Sequence, residues 1–304
     1  MNSTGKSPFG LVLPGLPQIL LCPEKNQGWE KLFLAYQLLR NEMESQPIDG
    51  LILYSTYWPS VIGHQIQSYP EPQWTHVDDE FHDLGSIPYH FRVDCNLAQN
   101  VNENARARGL HSRTVSYKGF PIDTGCVVAL KLLNPDNRWP VVIVSSNVYA
   151  DRAETIVFGK AAKDAIESSG KNIVPIIITS LSNRLHTHWI RPEEDHIHSL
   201  KDQEWNQKIL EFLSAGRLED VSQLSRQFHR EARVPKVANF KPFWWLASIL
   251  GQNNFYKGRV YEYQPVFGSG AAIVSLTPSD RAARDLEFDE NDPEKFLGER
   301  QVIS

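Results

Sequence analysis

The densest run of metal-ligating side chains is His186-Thr187-His188 followed by Glu193-Glu194-Asp195-His196-Ile197-His198. On a strand, an H-x-H pair sets both imidazoles on one face, and imidazole with carboxylate suits iron, zinc or manganese. Pro192 followed by three acids also reads as the polar entry to a helix, where the two rings point in different directions. Ser182-Asn183 follows the apolar run Val174–Thr179, at the carboxyl end of an expected strand, where open α/β sheets place ligands. Gly268-Ser269-Gly270 lacks the G-x-G-x-x-G spacing and reads as a turn, and there is no G-x-x-x-x-G-K-[ST], H-E-x-x-H or G-x-S-x-G. Lys241-Pro242-Phe243-Trp244-Trp245 mixes a base with aromatics as nucleic-acid stacking surfaces do. However, Phe240, Phe243, Trp244, Ala247 and Leu250 trace one helical stripe, which predicts a buried helix or an oligomer contact.

These residues must be positioned by a chain of 304 residues, 41% hydrophobic and 22% charged, with 8 Trp, 14 Phe and 10 Tyr. That composition is globular and excludes disordered, collagen-like and low-complexity classes. No apolar run approaches the roughly 18 residues of a membrane span, and no basic segment leads into a signal-like apolar stretch. The expected address is the cytoplasm. Cys22, Cys95 and Cys126 are far apart, which argues against a disulfide framework or thiolate zinc site. A net charge of −5 gives no general attraction for nucleic acid or anionic membranes.

Short β-branched runs at Phe9–Leu13, Gly50–Tyr54, Thr114–Tyr117, Val141–Ser145, Val174–Thr179 and Ala271–Ser275 predict strands. Trp29, Leu32, Phe33, Tyr36, Leu39 and Met43 mark one face of a helix, and further helices are expected near 95–107, 124–133, 151–168, 201–214, 217–232 and 240–250. Asp151 and Glu154 suit the start of one, and Gly216 breaks the run between two others. The alternation predicts one α/β domain over 8–275, a central mixed sheet with helices on both faces. Residues 276–304 hold eight acids against four bases and read as an acidic, mobile or loosely docked tail.

Several stretches, in order, resemble the class III extradiol-type ring-cleaving dioxygenases. They are Leu11-Val12-Leu13-Pro14-Gly15-Leu16-Pro17, Leu53-Tyr54-Ser55-Thr56-Tyr57-Trp58, His76-Val77-Asp78-Asp79, Gly119-Phe120-Pro121-Ile122-Asp123-Thr124-Gly125, Glu231-Ala232-Arg233-Val234 and Phe267-Gly268-Ser269-Gly270-Ala271-Ala272. The resemblance implies a fold built around one Fe(II) held by two His and one Glu. In active members a His stands in the turn after the first strand, which here reads Pro14-Gly15-Leu16-Pro17. A second follows the strand ending Tyr54-Ser55-Thr56, where this chain has Tyr57. The family's acid–base His comes after a Leu-Ser pair, here Leu181-Ser182-Asn183, and Asn cannot titrate. Phe267-Gly268-Ser269-Gly270 offers no carboxylate, and the nearest is Glu262.

The resemblance therefore implies a catalytically silent, α-type subunit with no catalytic or metal-binding residues and no cofactor of its own. Fe(II) is expected in a homologous β subunit with which it forms a hetero-oligomer, and no nucleic acid or membrane is a partner. Pro14, Tyr57, Asn183 and His186 are expected to line a residual cleft, and the Phe240, Phe243, Trp244 stripe to serve the interface. Two alternatives stand beside this. One is an active ring-cleaving oxygenase with relocated ligands such as His64 and His186; the other is a metal-free small-molecule binding protein.

Overall fold

A computed structural model of the chain describes residues 9–182, 189–223, 240–251, 256–279 and 293–297. In chain order the elements are β1 (Gly10–Leu13), α1 (Gln18–Leu21), α2 (Gln27–Glu44), β2 (Gly50–Ser60), β3 (His64–Gln67), β4 (Gln73–Val77), β5 (Ser86–His90), α3 (Cys95–Ala107), β6 (Ser112–Val115), α4 (Thr124–Leu133), β7 (Val141–Asn147), α5 (Arg152–Ser169), β8 (Ile173–Ile178), α6 (Leu200–Ser214), α7 (Leu218–Gln223), α8 (Lys241–Leu250), β9 (Tyr256–Val266) and β10 (Ser269–Pro278). Single 3₁₀ turns lie at Pro23–Lys25, His82–Leu84 and Pro192–Glu194.

The main sheet runs β6-β3-β7-β2-β8-β1-β10-β9. Its centre, β7-β2-β8-β1, is parallel, while β10 and β9 add an antiparallel margin. Parallel strands need helical crossovers, and those crossovers cover both faces. Strand periodicity then sorts β2: Ile52 and Tyr54 pack with α3, α5 and α8, while Leu51 and Leu53 pack with α2 and α4. Every residue of β7 and β8 is buried, which explains their continuous apolar runs. The structure is thus the expected α/β domain, a mixed sheet between two helical layers.

Three strand groups depart from expectation. β4 and β5 form a separate two-stranded sheet, and β3 and β9 extend the main one. Their sequences are polar or half-exposed, so no continuous apolar signal marks them. β2 also runs past Tyr54 to Ser60, with an irregularity in its pairing to β7 between Ser55 and Pro59. Such a bulge frees the residues between from the ladder and re-aims their side chains; those residues are Thr56, Tyr57 and Trp58.

The aromatic stripe is not an interface. Phe240, Phe243, Trp244, Trp245 and Ala247 are buried beneath the chain's own fold, with Trp245 against Tyr54 at 5.3 Å between ring centroids. A one-sided apolar helix needs a cover, and α5 together with β2 and β8 supplies it. Residues 276–278 continue β10. Residues 293–297 dock on α3 and α5, where Glu294 pairs with Arg108 at 2.9 Å and Lys160 at 2.5 Å, and Phe296 packs on the core.

Candidate functional site: a pocket at the strand ends

The carboxyl ends of β1, β2 and β8 meet the start of α4. After β1, the Pro14 carbonyl accepts a 2.5 Å hydrogen bond from the buried Tyr36 hydroxyl. Gly15 lies so close to α4 that a Cβ there would sit 2.4 Å from Gly125 Cα and 2.8 Å from Ile178 Cγ2. A Cβ on Gly125 would in turn meet Tyr57 Cδ2 at 2.3 Å. The two glycines therefore let the turn after β1, the helix start and the Tyr57 ring close upon one another. The Tyr57 hydroxyl and the nearby Ser180 Oγ are both buried without a hydrogen-bond partner in good geometry. Burial above all, opposed by the Ser180 hydroxyl and reinforced by the carboxylates of Asp123, Asp78 and Glu80, holds the Tyr57 phenol protonated far above its ordinary range.

Asp123 caps α4. Its Oδ1 accepts from Cys126 N at 2.9 Å and from Ser55 Oγ at 2.8 Å, whereas its buried Oδ2 has no donor. Burial pushes this carboxyl up, against the hydrogen bonds that favour its anion. Beside it runs a short relay. Thr124 Oγ1 donates to Asp78 Oδ2 at 2.6 Å and lies 2.5 Å from His76 Nε2. A hydroxyl has one proton, so the Thr124 oxygen accepts from His76, which fixes the Nε2–H tautomer and leaves Nδ1 as the ring's remaining nitrogen.

These groups border a pocket of about 470 Å³ between the β4–β5 hairpin and the first turn of α4, walled by Trp58, Trp74, Tyr89 and Phe120. Trp58 and Phe120 stand 5.5 Å apart between ring centroids. A wider, open groove of about 960 Å³ lies across the hairpin, bordered by Trp74, His90, Lys131 and Asp136.

Of the residues expected to line a cleft, Pro14 and Tyr57 come together through Gly15 and Gly125, while Asn183 and His186 lie outside the described residues. The hairpin residue His76 and the helix-start residues Asp123 and Thr124, all within stretches that carry the family resemblance, stand beside Tyr57 without having been singled out as site residues. His64 cannot join them. It is fully buried on the opposite face of the sheet, 3.2 Å from Glu154 and stacked on Phe158. Glu262 on β9 is bonded to Gln264. In the 193–198 run, Asp195 accepts from Trp29 Nε1 and from the backbone N–H groups of Phe267 and Gly268, while His196 contacts its neighbour Glu194. Asp195 therefore braces a turn rather than facing a metal.

Fe(II), which the resemblance implies, does not fit the described donors. Gly15 offers no side chain, the space beside it is taken up by Gly125 and Tyr57, and a phenol kept protonated is a poor substitute for imidazole. Among the described residues no group of three or more His, Cys, Asp or Glu side chains is placed to hold a metal ion.

A family model described as the catalytic LigB subunit of aromatic ring-opening dioxygenase matches residues 11–274. The chain is 32% identical over 267 residues to the 2-aminophenol 1,6-dioxygenase alpha subunit of a Pseudomonas species, covering 88% of this chain and 97% of that protein. To the beta subunit from Pseudomonas it is 29% identical over 263 residues, covering 83% and 85%. The crystal structure of an uncharacterized protein from Escherichia coli K12 shares the fold at a TM-score of 0.59 and 14% identity, over 88% of this chain and 99% of that one. The matched region runs from β1 through β10 and takes in the strand ends around Tyr57, so the chain belongs to the LigB family of class III extradiol-type dioxygenases and is related to an alpha subunit within it.

Proposed function

We propose that this chain is a non-catalytic, α-type subunit of an aromatic ring-cleaving dioxygenase acting on 2-aminophenol or a close analogue, and that it stabilises a homologous, iron-bearing β subunit in a reducing, cytoplasmic compartment. The observation that carries this reading is the closed contact of Gly15, Gly125 and the Tyr57 ring at the strand ends. Two imidazoles and a carboxylate converging on one ion would need that space, and the backbone there admits no Cβ. Similarity to both an alpha and a beta subunit supports a hetero-oligomeric partner. Three free cysteines suit a reducing compartment, and among the described residues no helix is long and apolar enough to cross a membrane.

The test is co-expression with a homologue that retains two His and one Glu at the corresponding positions. The expected product is a stable hetero-oligomer with an interface of roughly 2,000 Å² or more. Its iron should track the partner's stoichiometry, and ring cleavage should survive substitution of Tyr57 in this chain. Reconstituted alone and anaerobically with Fe(II), this chain should hold well under one equivalent; stoichiometric iron in the lone chain overturns the reading.

A further inference from the structure

We propose that β4 is a docking edge for a second copy of this chain, which adds its own β4 in antiparallel register across a two-fold axis at Thr75. The first argument is the unpaired backbone. β4 pairs with β5 alone, in a register that sets Trp74 opposite Tyr89 and His76 opposite Ile87. Phe91 N donates to Pro72 O, and bonded pairs alternate along an antiparallel ladder. Trp74 and His76 therefore bond to β5, while Gln73, Thr75 and Val77 turn their N–H and C=O groups away from it. Those groups meet no partner among the described residues. A sheet of two strands is marginal by itself and gains from further strands.

The second argument is that this edge lacks the guards the main sheet carries at its margins. β6 is short and bears Arg113, and β9 bears Lys257, Arg259, Pro265 and a bulge at Tyr261. Charge, proline and bulges block edge-to-edge pairing. Gln73-Trp74-Thr75-His76-Val77 has no proline, no bulge and no Lys, Arg, Asp or Glu. The third argument selects the occupant. A register centred on Thr75 sets Thr75 against its own counterpart, Gln73 against Val77 and Trp74 against His76 of the second copy. Every outward-facing residue then meets another, and each such pair exchanges two N–H···O bonds. Threonine pairs and aromatic pairs across strands are favourable, and within the strand no charge opposes its like. Trp74 shares the face of the buried Ile87 and Tyr89 yet is 63% exposed, so β4 overhangs the body and leaves room for a neighbour that covers the indole. Asp79 and Glu71, both exposed, come opposite each other beyond the strand ends, where salt screens them.

The full-length chain, alone and at neutral pH, is followed by sedimentation equilibrium from about 1 to 100 μM, the range in which so short an interface associates reversibly. A monomer–dimer equilibrium is expected, and added salt should tighten it by screening Asp79 from Glu71. Thr75→Lys and Thr75→Glu each set like charges against each other on the axis and should weaken the dimer about tenfold or more. Mixing the two variants should restore it, because only a residue on the axis faces its own counterpart. Thr75→Cys, about 5.5 Å from its counterpart between Cα atoms, should cross-link the dimer on oxidation, whereas Gln73→Cys, offset from its own along the strand, should not. The cysteine pair keeps the test decisive if a charged variant does not fold. A chain monomeric throughout leaves this edge to some other strand and overturns the proposal. So does a dimer indifferent to both charged variants, a mixture that stays apart, or Gln73→Cys cross-linking as readily as Thr75→Cys. Neither iron nor a homologous subunit enters these measurements, so this inference and the subunit reading can fail separately.

Discussion

Gly125 is the residue on which the site turns. With no side chain it admits the Tyr57 ring on one side and the Gly15 backbone on the other, and a Cβ would overlap Tyr57 at 2.3 Å and Ile178 at 2.9 Å. Gly125→Ala should therefore cost about 1–3 kcal/mol, as overpacking does in a close-fitting core. Equilibrium urea unfolding measures this, and Tyr57→Ala in the same chain should return part of the loss, because the ring is the atom group displaced. A midpoint unmoved by Gly125→Ala would mean that Tyr57 yields freely and that the contact does not close the site. The same arithmetic explains why a single Tyr57→His change would not rebuild a metal centre: its would-be partner position, Gly15, has no room for a Cβ.

At the scale of elements, Asp195 ties three separate pieces together. Its Oδ2 accepts from Trp29 Nε1 on α2 at 2.9 Å and from Phe267 N at 2.7 Å, and its Oδ1 accepts from Gly268 N at 2.8 Å. Phe267 and Gly268 form the β9–β10 turn with φ of +47° and +74°, a left-handed pair in which Phe is disfavoured. The carboxylate thus holds a strained turn against the sheet, while Asn26 both caps α2 and donates to Pro192 O at 2.6 Å. Asp195→Ala should cost about 2–3 kcal/mol and alter Trp29 fluorescence, with Asp195→Asn intermediate because one amide oxygen remains an acceptor. Proteolysis of the 189–198 segment and the urea midpoint check this together. Unchanged stability would mean that water replaces the carboxylate at little cost.

For the whole molecule, buried phenols set an alkaline limit. Burial holds Tyr36, Tyr54 and Tyr57 protonated well above the ordinary value of 10.0, and Tyr256 and Tyr263 are pushed up to about 12. Above pH 10 the unfolded chain loses protons that the folded chain keeps, so the unfolded state binds fewer and stability falls as pH rises. Each such group contributes a slope of up to about 1.4 kcal/mol per pH unit between the two values. Denaturant midpoints should hold steady up to about pH 9 and drop steeply beyond about pH 10, with tyrosinate absorbance rising together with loss of near-ultraviolet circular dichroism. Full tyrosine titration within an intact fold would refute it.

The period of apolar residues alone determined the helices at Gln27–Glu44, Cys95–Ala107, Thr124–Leu133 and Arg152–Ser169, together with the central strands, because each buries a face whose spacing is local. Aspartates at 94, 123 and 151 sit where helix starts need acceptors, and they cap those helices. β4 and β9 left no comparable mark. In β4 all five residues are at least partly exposed, and β9 is largely half-exposed, so their pairing depends on partners distant in the chain. The stripe Phe240, Phe243, Trp244 announced a buried face but not what covers it, since periodicity records that a face is apolar and not whether a partner or the chain itself lies upon it. Only tertiary structure decided that α5 covers it, that His64 and Tyr57 lie on opposite sides of the sheet, and that His76, Asp123 and Tyr57 border one pocket. Their sequence separations of 19 to 66 residues are bridged by strand crossovers and by two glycines whose value is the close approach they permit, a property invisible until the neighbouring backbone is in place.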